Sequence, residues 1–217
     1  DVGQGSATVV AVAPSEAIVI DTGPVPAALE RCLSVLGVSK VPLLVLTHFH
    51  SDHVGGLAAL AGREVGAVLA PDGHAGAEQV PLVLPDAQPL APVPGLVVGV
   101  GRVQVTVVSA LPLPALAIAG EGESSGENDG SVVTRIDTGR LVVLATGDIE
   151  TTGQAAVLSS GQPLAADVLI VPHHGSARQT AELFTAVAAP VALIGVGENT
   201  YGHPSATALQ LLAGAGI

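Results

Sequence analysis

Short apolar runs rich in Val, Leu and Ile recur along the chain, and between them the apolar positions switch to helical spacing. Residues 7–12 and 16–20 read as two strands, with Pro14-Ser15 as the hairpin turn that joins them. A helix follows over 26–36, where Leu29, Cys32, Leu33 and Leu36 repeat at helical intervals and Gly37 supplies the stop. The run Val41-Pro42-Leu43-Leu44-Val45-Leu46 predicts a buried strand over 43–47, and a helix is expected to begin near Gly55. An apolar segment over 57–61 and a strand over 65–70 come next, after which the prolines of 81–94 break regular structure. The middle of the chain holds strands over 96–100 and 102–108 and a Pro-, Gly- and Ala-rich surface loop over 111–125. A hairpin of 131–136 with 140–145 then turns through Asp137-Thr138-Gly139. The remainder reads as helix 151–158, strand 167–171, helix 181–188, strand 191–194 and helix 205–212. Each half places paired strands first and strand-then-helix units after them, so the expected α/β fold has two mixed β-sheets face to face with helices outside.

Composition adds bounds to this picture. With 217 residues and 48% hydrophobic content the chain can bury a substantial core, and a single domain over 1–217 is expected. Aromatic residues make up 1% and Trp and Met are absent, so the core must rely on Ala, Val and Leu. The mean hydropathy is +0.60. Pro, Gly or a charge nevertheless cuts each apolar run well short of the roughly 20 residues a spanning helix needs, and the piece is expected to be soluble. It begins at Asp1 rather than Met, shows no secretory signal and stops soon after a helical pattern, which reads as a domain excised from a longer protein. The single cysteine, Cys32, excludes an internal disulfide.

The candidate chemistry is concentrated at strand ends. Thr47-His48-Phe49-His50-Ser51-Asp52-His53 packs three imidazoles and a carboxylate into seven residues between a buried strand and Gly55-Gly56. At the end of that strand His48 and His50 can point to one side, while Asp52 and His53 fall on the other side of the loop, so one short loop can feed two metal ions. Imidazole and carboxylate suit zinc, manganese and iron, and Cys32 lies well outside the cluster, which argues against a cysteine-rich structural zinc. Three later segments repeat the arrangement. Gly147-Asp148 ends the run 141–145 and makes Asp148 the candidate bridging ligand, with an N-cap of the next helix as its alternative role. Pro172-His173-His174-Gly175-Ser176 follows another strand; one of the two histidines is expected to reach a metal, and His173 is favoured. His203, before Pro204, is the candidate for the remaining site, whereas His74 lacks a strong strand lead-in and reads as an exposed histidine.

These motifs carry a family resemblance. His48-x-His50-x-Asp52-His53 with Gly147-Asp148 downstream is similar to the metallo-β-lactamase superfamily, whose αββα four-layer sandwich matches the layout above. Asp1-Val2-Gly3-Gln4-Gly5, Ile20-Asp21-Thr22-Gly23, Asn128-Asp129-x-Ser131, Pro172-His173-His174-Gly175-Ser176 and Tyr201-Gly202-His203-Pro204 narrow the resemblance to the C-terminal domain of the ComEC family of DNA-uptake channels. The resemblance implies two divalent ions, Mn or Zn: His48, His50 and His173 on one, Asp52, His53 and His203 on the other, and Asp148 shared. Asp21 is then expected behind the ligands, with Asp1, Asn128, His174, Ser176, Asn199 and Tyr201 in supporting or substrate-contacting positions. Two departures stand out. Ser6 occupies a place where many members carry an acid, and the histidine that many relatives place before the Gly-Asp motif has no counterpart unless His74 supplies it.

Two close divalent ions would lower the pKa of a bridging water and neutralise phosphate oxygens. Asp52 and Asp148 are the expected catalytic carboxylates, Ser176 or Asn199 can donate to a nonbridging oxygen, and Tyr201 can stack on a nucleotide or simply pack against Pro204. The resemblance implies a nuclease that hydrolyses DNA, single-stranded by preference, degrading the strand that is not transported during natural transformation. It also implies attachment to a bacterial cytoplasmic membrane protein on its outer face, with the membrane channel and DNA-binding parts of the same protein as partners and no obligate protein partner. The net charge of −12, with only seven Lys and Arg, argues against this piece gripping nucleic acid by itself, although bound ions would reverse the sign locally. Two rivals are a hydrolase of a small phosphoester such as phosphorylcholine and a catalytically weak metal-binding domain that positions DNA.

Overall fold

The structure, a computed structural model, describes residues 1–112 and 126–217, so most of the loop expected over 111–125 lies outside the described residues. The first half contains strands β1 (Thr8–Ala13) and β2 (Glu16–Ile20), helix α1 (Pro26–Val35), β3 (Lys40–Val45), the short helix α2 (Ser51–Val54), β4 (Glu64–Leu69), α3 (Val80–Val83) and β5 (Gln88–Leu90). These strands form a sheet in the order β1-β2-β3-β4-β5. Ser15, in the left-handed region at φ 62°, closes the β1–β2 hairpin. α1 then returns the chain so that β3 runs parallel to β2, and β4 and β5 continue in parallel.

The second half supplies β6 (Val97–Val100), β7 (Val103–Ser109), α4 (Gly126–Asp129), β8 (Val133–Asp137), β9 (Val142–Ala145), α5 (Thr151–Ser159), β10 (Val168–Ile170), α6 (Ala181–Val187), β11 (Val191–Leu193) and α7 (Ala206–Gly214). Their sheet has the order β11-β10-β9-β8-β7-β6, antiparallel from β6 to β9 and parallel from β9 to β11. No helix among the described residues is long and apolar enough to cross a membrane.

The period-two alternation of the strands sorts side chains into layers. Ala17 and Val19 of β2 join Leu29 and Leu33 of α1 in one core. Ile18 and Ile20 face the opposite way and share the core between the sheets with Leu43, Val105, Val107 and Ile136. A third core gathers Leu144 and Leu169 beneath Leu183, Phe184 and Val187 of α6 and Leu212 of α7. The result is the expected helix–sheet–sheet–helix sandwich. Proline-rich 81–94 is the segment that differs most: α3 and β5 lie in and beside it. Pro89 is tolerated because β5 is an edge strand, so its missing N–H removes no ladder bond on the open side.

Leu43 is fully buried between the sheets. Leu43→Ala is expected to destabilise the protein by about 2–5 kcal/mol in urea unfolding, whereas Val35→Ala, at an exposed position, should stay within about 0.5 kcal/mol.

Candidate metal centre

Because β2 and β3 are parallel neighbours, the chain leaves both at the same end of the sheet, and Asp21 comes to lie beside Thr47. The Asp21 carboxylate is buried and accepts from the Thr47 backbone N–H at 2.8 Å, from Thr47 Oγ1 at 2.9 Å and from His53 Nδ1 at 2.7 Å. Asp21 itself adopts φ 56°. Thr22 N–H donates to the His53 carbonyl at 2.6 Å, and a Cβ on Gly56 would run into the Thr22 carbonyl oxygen. The two loops are therefore in backbone contact, and glycine is required where they cross.

Asp148 reaches the same place from the second sheet. Gly147 after β9 has φ 56°, and a Cβ there would lie 2.7 Å from Ser131 Cβ and 2.8 Å from Thr47 Cβ, so only glycine lets the chain turn at this point. Four histidines surround the buried carboxylate: Oδ1 is 3.1 Å from His53 Nε2, and Oδ2 is 3.4 Å from His174 Nε2, 3.8 Å from His48 Nε2 and 3.9 Å from His173 Nε2. Asp52 Oδ2 closes the group, 3.0 Å from His174 Nε2 and 3.9 Å from His53 Nε2, and the two imidazole nitrogens are 3.3 Å apart.

The donor atoms of Asp52, His53, Asp148 and His174 all lie within 4.8 Å of one another. A tetrahedral ion with bonds of about 2.1 Å spaces its ligands about 3.4 Å apart, so the separations fit a divalent ion. The chemistry fits as well, since two imidazoles and two carboxylates are the borderline and hard donors such ions take. Among the described residues the buried His48 Nε2 has no hydrogen-bond partner, as expected of a nitrogen kept for a metal.

The outward nitrogens of His53, His174 and His48 each face a hydrogen-bonding oxygen, which favours the other nitrogen pointing inward, and that of His173 lies close to a carboxylate. His53 Nδ1 faces Asp21, His174 Nδ1 faces the Gly195 carbonyl at 2.7 Å, and His173 Nδ1 stands 3.1 Å from Glu150 Oε1. His48 Nδ1 lies 3.1 Å from Thr47 Oγ1 and 3.4 Å from Ser131 Oγ. In His50 it is Nε2 that faces a carboxylate, 3.2 Å from Glu127 Oε2.

Burial, reinforced by the charge of His53, pushes His48 well below 6.5 and keeps it neutral. Burial opposes the charged form of Asp148 too, but the His53 and His174 cations outweigh it and hold the carboxyl well below its ordinary value. Burial acts downward on His174 as well, yet the Asp148 charge and the hydrogen bonds to Asp148 and Asp52 push it up to about 9. For His53 burial is likewise overcome, by Asp148 and Asp21, and the group titrates well above 6.5. Without metal the cluster is thus a buried network of carboxylates and imidazolium ions.

Of the residues picked from sequence, the fold gathers His48, Asp52, His53, Asp148, His173 and His174, with Asp21 behind them. The His203 ring lies beside this group, its centroid 5.4 Å from His173 and 6.4 Å from His174, and His50 borders it through the His48 ring at 4.6 Å. Asp1 is exposed and accepts from the Gly3 N–H, outside the cluster; its motif works through backbone, Ser6 N–H donating to the Asp52 carbonyl at 3.2 Å. Asn128 is buried, and its backbone carbonyl accepts from Ser131 N–H at 3.0 Å. Ser176 is buried and accepts from Arg178 N–H at 3.3 Å. Asn199 is turned onto its own loop, donating to the Gly197 and His203 carbonyls and accepting from the N–H groups of Tyr201, Gly202 and His203. Tyr201 is exposed, 6.0 Å from the His203 ring. His74, expected on the surface, is 4% exposed against Phe49, because the loop after β4 folds down over the metal loop. Sequence reasoning missed Glu127 and Glu150. Their only signal was adjacency to the Asn128 and Asp148 motifs.

Residues 1–195 match the metallo-beta-lactamase superfamily, and the chain belongs to it. Among named relatives it is 32% identical over 184 residues to ComE operon protein 3 of Bacillus subtilis (strain 168), covering 83% of this chain and 23% of that protein. It is 29% identical over 213 residues to Competence protein ComA of Neisseria gonorrhoeae, covering 94% of this chain and 28% of that one. The chain therefore spans about a quarter of the length of these curated relatives. Its fold is similar to that of the metallo-beta-lactamase fold protein YhfI from Bacillus subtilis, with a TM-score of 0.61 at 15% identity over 98% of this chain and 86% of that one. The structure of Zn(2+)-bound PqqB from Methylobacterium extorquens gives 0.62 at 14% identity over 98% and 84%. Family and donor set together define a metal-dependent hydrolase of the metallo-β-lactamase fold with competence-related homologues.

Two outcomes follow from this geometry. Asp21→Asn removes the carboxylate that orients His53, and metal affinity, read by chelator competition, is expected to fall about 10- to 100-fold. His53 and His174 titrate higher in the fold than in the unfolded chain, so the stability they contribute is complete below pH 6.5 and, for His174, is lost as pH rises through about 9. The metal-free protein should therefore melt at a lower temperature at pH 9 than at pH 6.5. Added Mn²⁺ should shrink that loss, because a bound ion needs the same imidazoles deprotonated. Equal melting temperatures at the two pH values in chelator would contradict the assignment.

Proposed function

We propose that this domain hydrolyses phosphodiester bonds of DNA, single-stranded by preference, as a part of a longer membrane-attached protein of DNA uptake. The observation that carries the reading is the convergence of Asp52, His53, Asp148 and His174 on one ion-sized space in a chain whose named relatives are competence proteins. In this reading those four residues hold one divalent ion, and His48 and His50 hold a second with Asp148 between them. His174 is thus added to the ligands expected from sequence, and His173 and His203, expected as ligands too, stand beside the cluster. Two such ions, manganese or zinc, would supply an activated water and neutralise charge on the phosphate.

The chain's own residues do the remaining work. Asp52 is the cluster carboxylate with the greatest exposure, 31% of its side chain, and so is placed to orient an attacking water. Asp21, Glu127, Glu150 and the Gly195 carbonyl fix the rings, which spares reorganisation during the reaction. Parts of the longer protein beyond this domain supply the basic surface that a chain of net charge −12 lacks.

The test is cleavage of end-labelled single-stranded DNA by protein stripped of metal and reloaded with Mn²⁺ or Zn²⁺. Cutting should return with metal and fall at least about a hundredfold in Asp52→Ala and His50→Ala. Full metal occupancy with turnover of a small chromogenic phosphoester but none of DNA would instead assign a small-substrate hydrolase. DNA binding without any cleavage would assign a positioning domain.

A further inference from the structure

The chain has seven Lys and Arg residues, and all lie among the described residues. Most of them serve the end of the sandwich away from the cluster. Lys40 starts β3 and pairs with Glu64 at the start of β4, whereas the metal loop follows the other end of β3. Arg63 precedes β4 and pairs with Glu30 of α1, the helix that also carries Arg31. Arg102 and Arg140 sit in the β6–β7 and β8–β9 turns, and Arg135 pairs with Asp137 beside the second of these. Gly147-Asp148 leaves β9 at its opposite end.

Arg178 is the exception. Its Nη1 is 3.2 Å from Glu150 Oε2, the other oxygen of Glu150 is 3.1 Å from His173 Nδ1, and His173 Nε2 is 3.9 Å from Asp148 Oδ2. Its main chain is held at both ends: the buried Gln154 Nε2 donates to the Arg178 carbonyl at 3.0 Å, and the Arg178 N–H donates to Ser176 Oγ at 3.3 Å; Gln154 Nε2 also donates to Gln179 Oε1 at 3.1 Å, and Gln179 Nε2 to the Pro172 carbonyl at 2.9 Å. Gln154 Oε1 also accepts the Thr180 N–H at 2.8 Å. A fixed backbone thus presents a guanidinium whose side chain is 60% exposed. An ion pair so open to water adds little to stability. The guanidinium has five donors and Glu150 engages one edge of it, which leaves the planar fork suited to phosphate oxygens available to solvent.

We propose that Arg178 binds a phosphate oxygen of the substrate beside the metal cluster, with Glu150 as the residue that positions it. Asp21, Asp52, Glu127, Asp148 and Glu150 make the surroundings strongly negative, and the Arg178 cation offsets part of that field. The inference deepens the phosphodiesterase reading and rests on it for the identity of the substrate.

The experiment titrates inorganic phosphate into the Mn²⁺-loaded protein, as wild type, Arg178→Ala and Arg178→Lys, with metal content and melting temperature measured on each. Arg178→Ala should bind phosphate about tenfold more weakly, with unchanged metal content and melting temperature, and Lys should restore part of the loss. On a chromogenic phosphodiester KM should rise more than kcat falls. Equal phosphate affinity in all three proteins would overturn the proposal, as would loss of metal in step with phosphate, which would make Arg178 a support of the cluster. No phosphate binding by the metal-loaded wild type would also overturn it. Arg178-dependent phosphate binding without phosphodiester cleavage would leave this inference standing and remove the proposed nuclease activity.

Discussion

Asp21 is the residue on which the centre depends. A buried carboxylate in a left-handed backbone conformation is costly unless donors surround it, and here Thr47 supplies two and His53 a third. Those bonds join the ends of two parallel strands, seat the metal loop and fix which face of the His53 ring points inward. Removing the carboxylate would loosen all three together. A partnered buried ion is tolerable where an abandoned one is not, so the same network that shapes the site ties its integrity to the fold.

Asp148 performs the reciprocal task from the other sheet. It draws four histidines of two separate segments to one point; His53, His174 and His48 are backed by Asp21, the Gly195 carbonyl and the hydroxyls of Thr47 and Ser131, and Glu150 stands beside His173. The arrangement has an electrostatic consequence. Carboxylates outnumber cations around the cluster, and imidazolium charges offset them only while no metal is bound. A divalent ion held by these residues would supply that charge compensation in place of the imidazolium protons.

The sequence was informative wherever a local rule governs structure. Runs rich in Val and Ile located β1 and β2, Asp137-Thr138-Gly139 made the β8–β9 turn with Gly139 at φ 75°, and the His48-to-His53 spacing marked the metal loop. The proline run over 81–94 misled because edge pairing with β4 is a property of the sheet, to which a Pro in an isolated segment gives no clue. His74 misled for a related reason: its burial depends on a loop folding over Phe49, a residue distant in sequence.

By itself, then, the sequence determined the layer architecture, the residue types of the centre and the strand ends that carry them, since hydrophobic period and ligand chemistry are local properties. Only the tertiary structure decided which nitrogen of each histidine faces inward, and that His174 stands closer than His173 to Asp52 and Asp148. The neighbouring residues both take left-handed backbone angles, φ 46° and 52°, in one tight turn, and their rings diverge: the Gly195 carbonyl holds His174 Nδ1, and His173 Nδ1 lies beside Glu150. Those partners lie far apart in the chain, and they meet only after β9, β10 and β11 have paired.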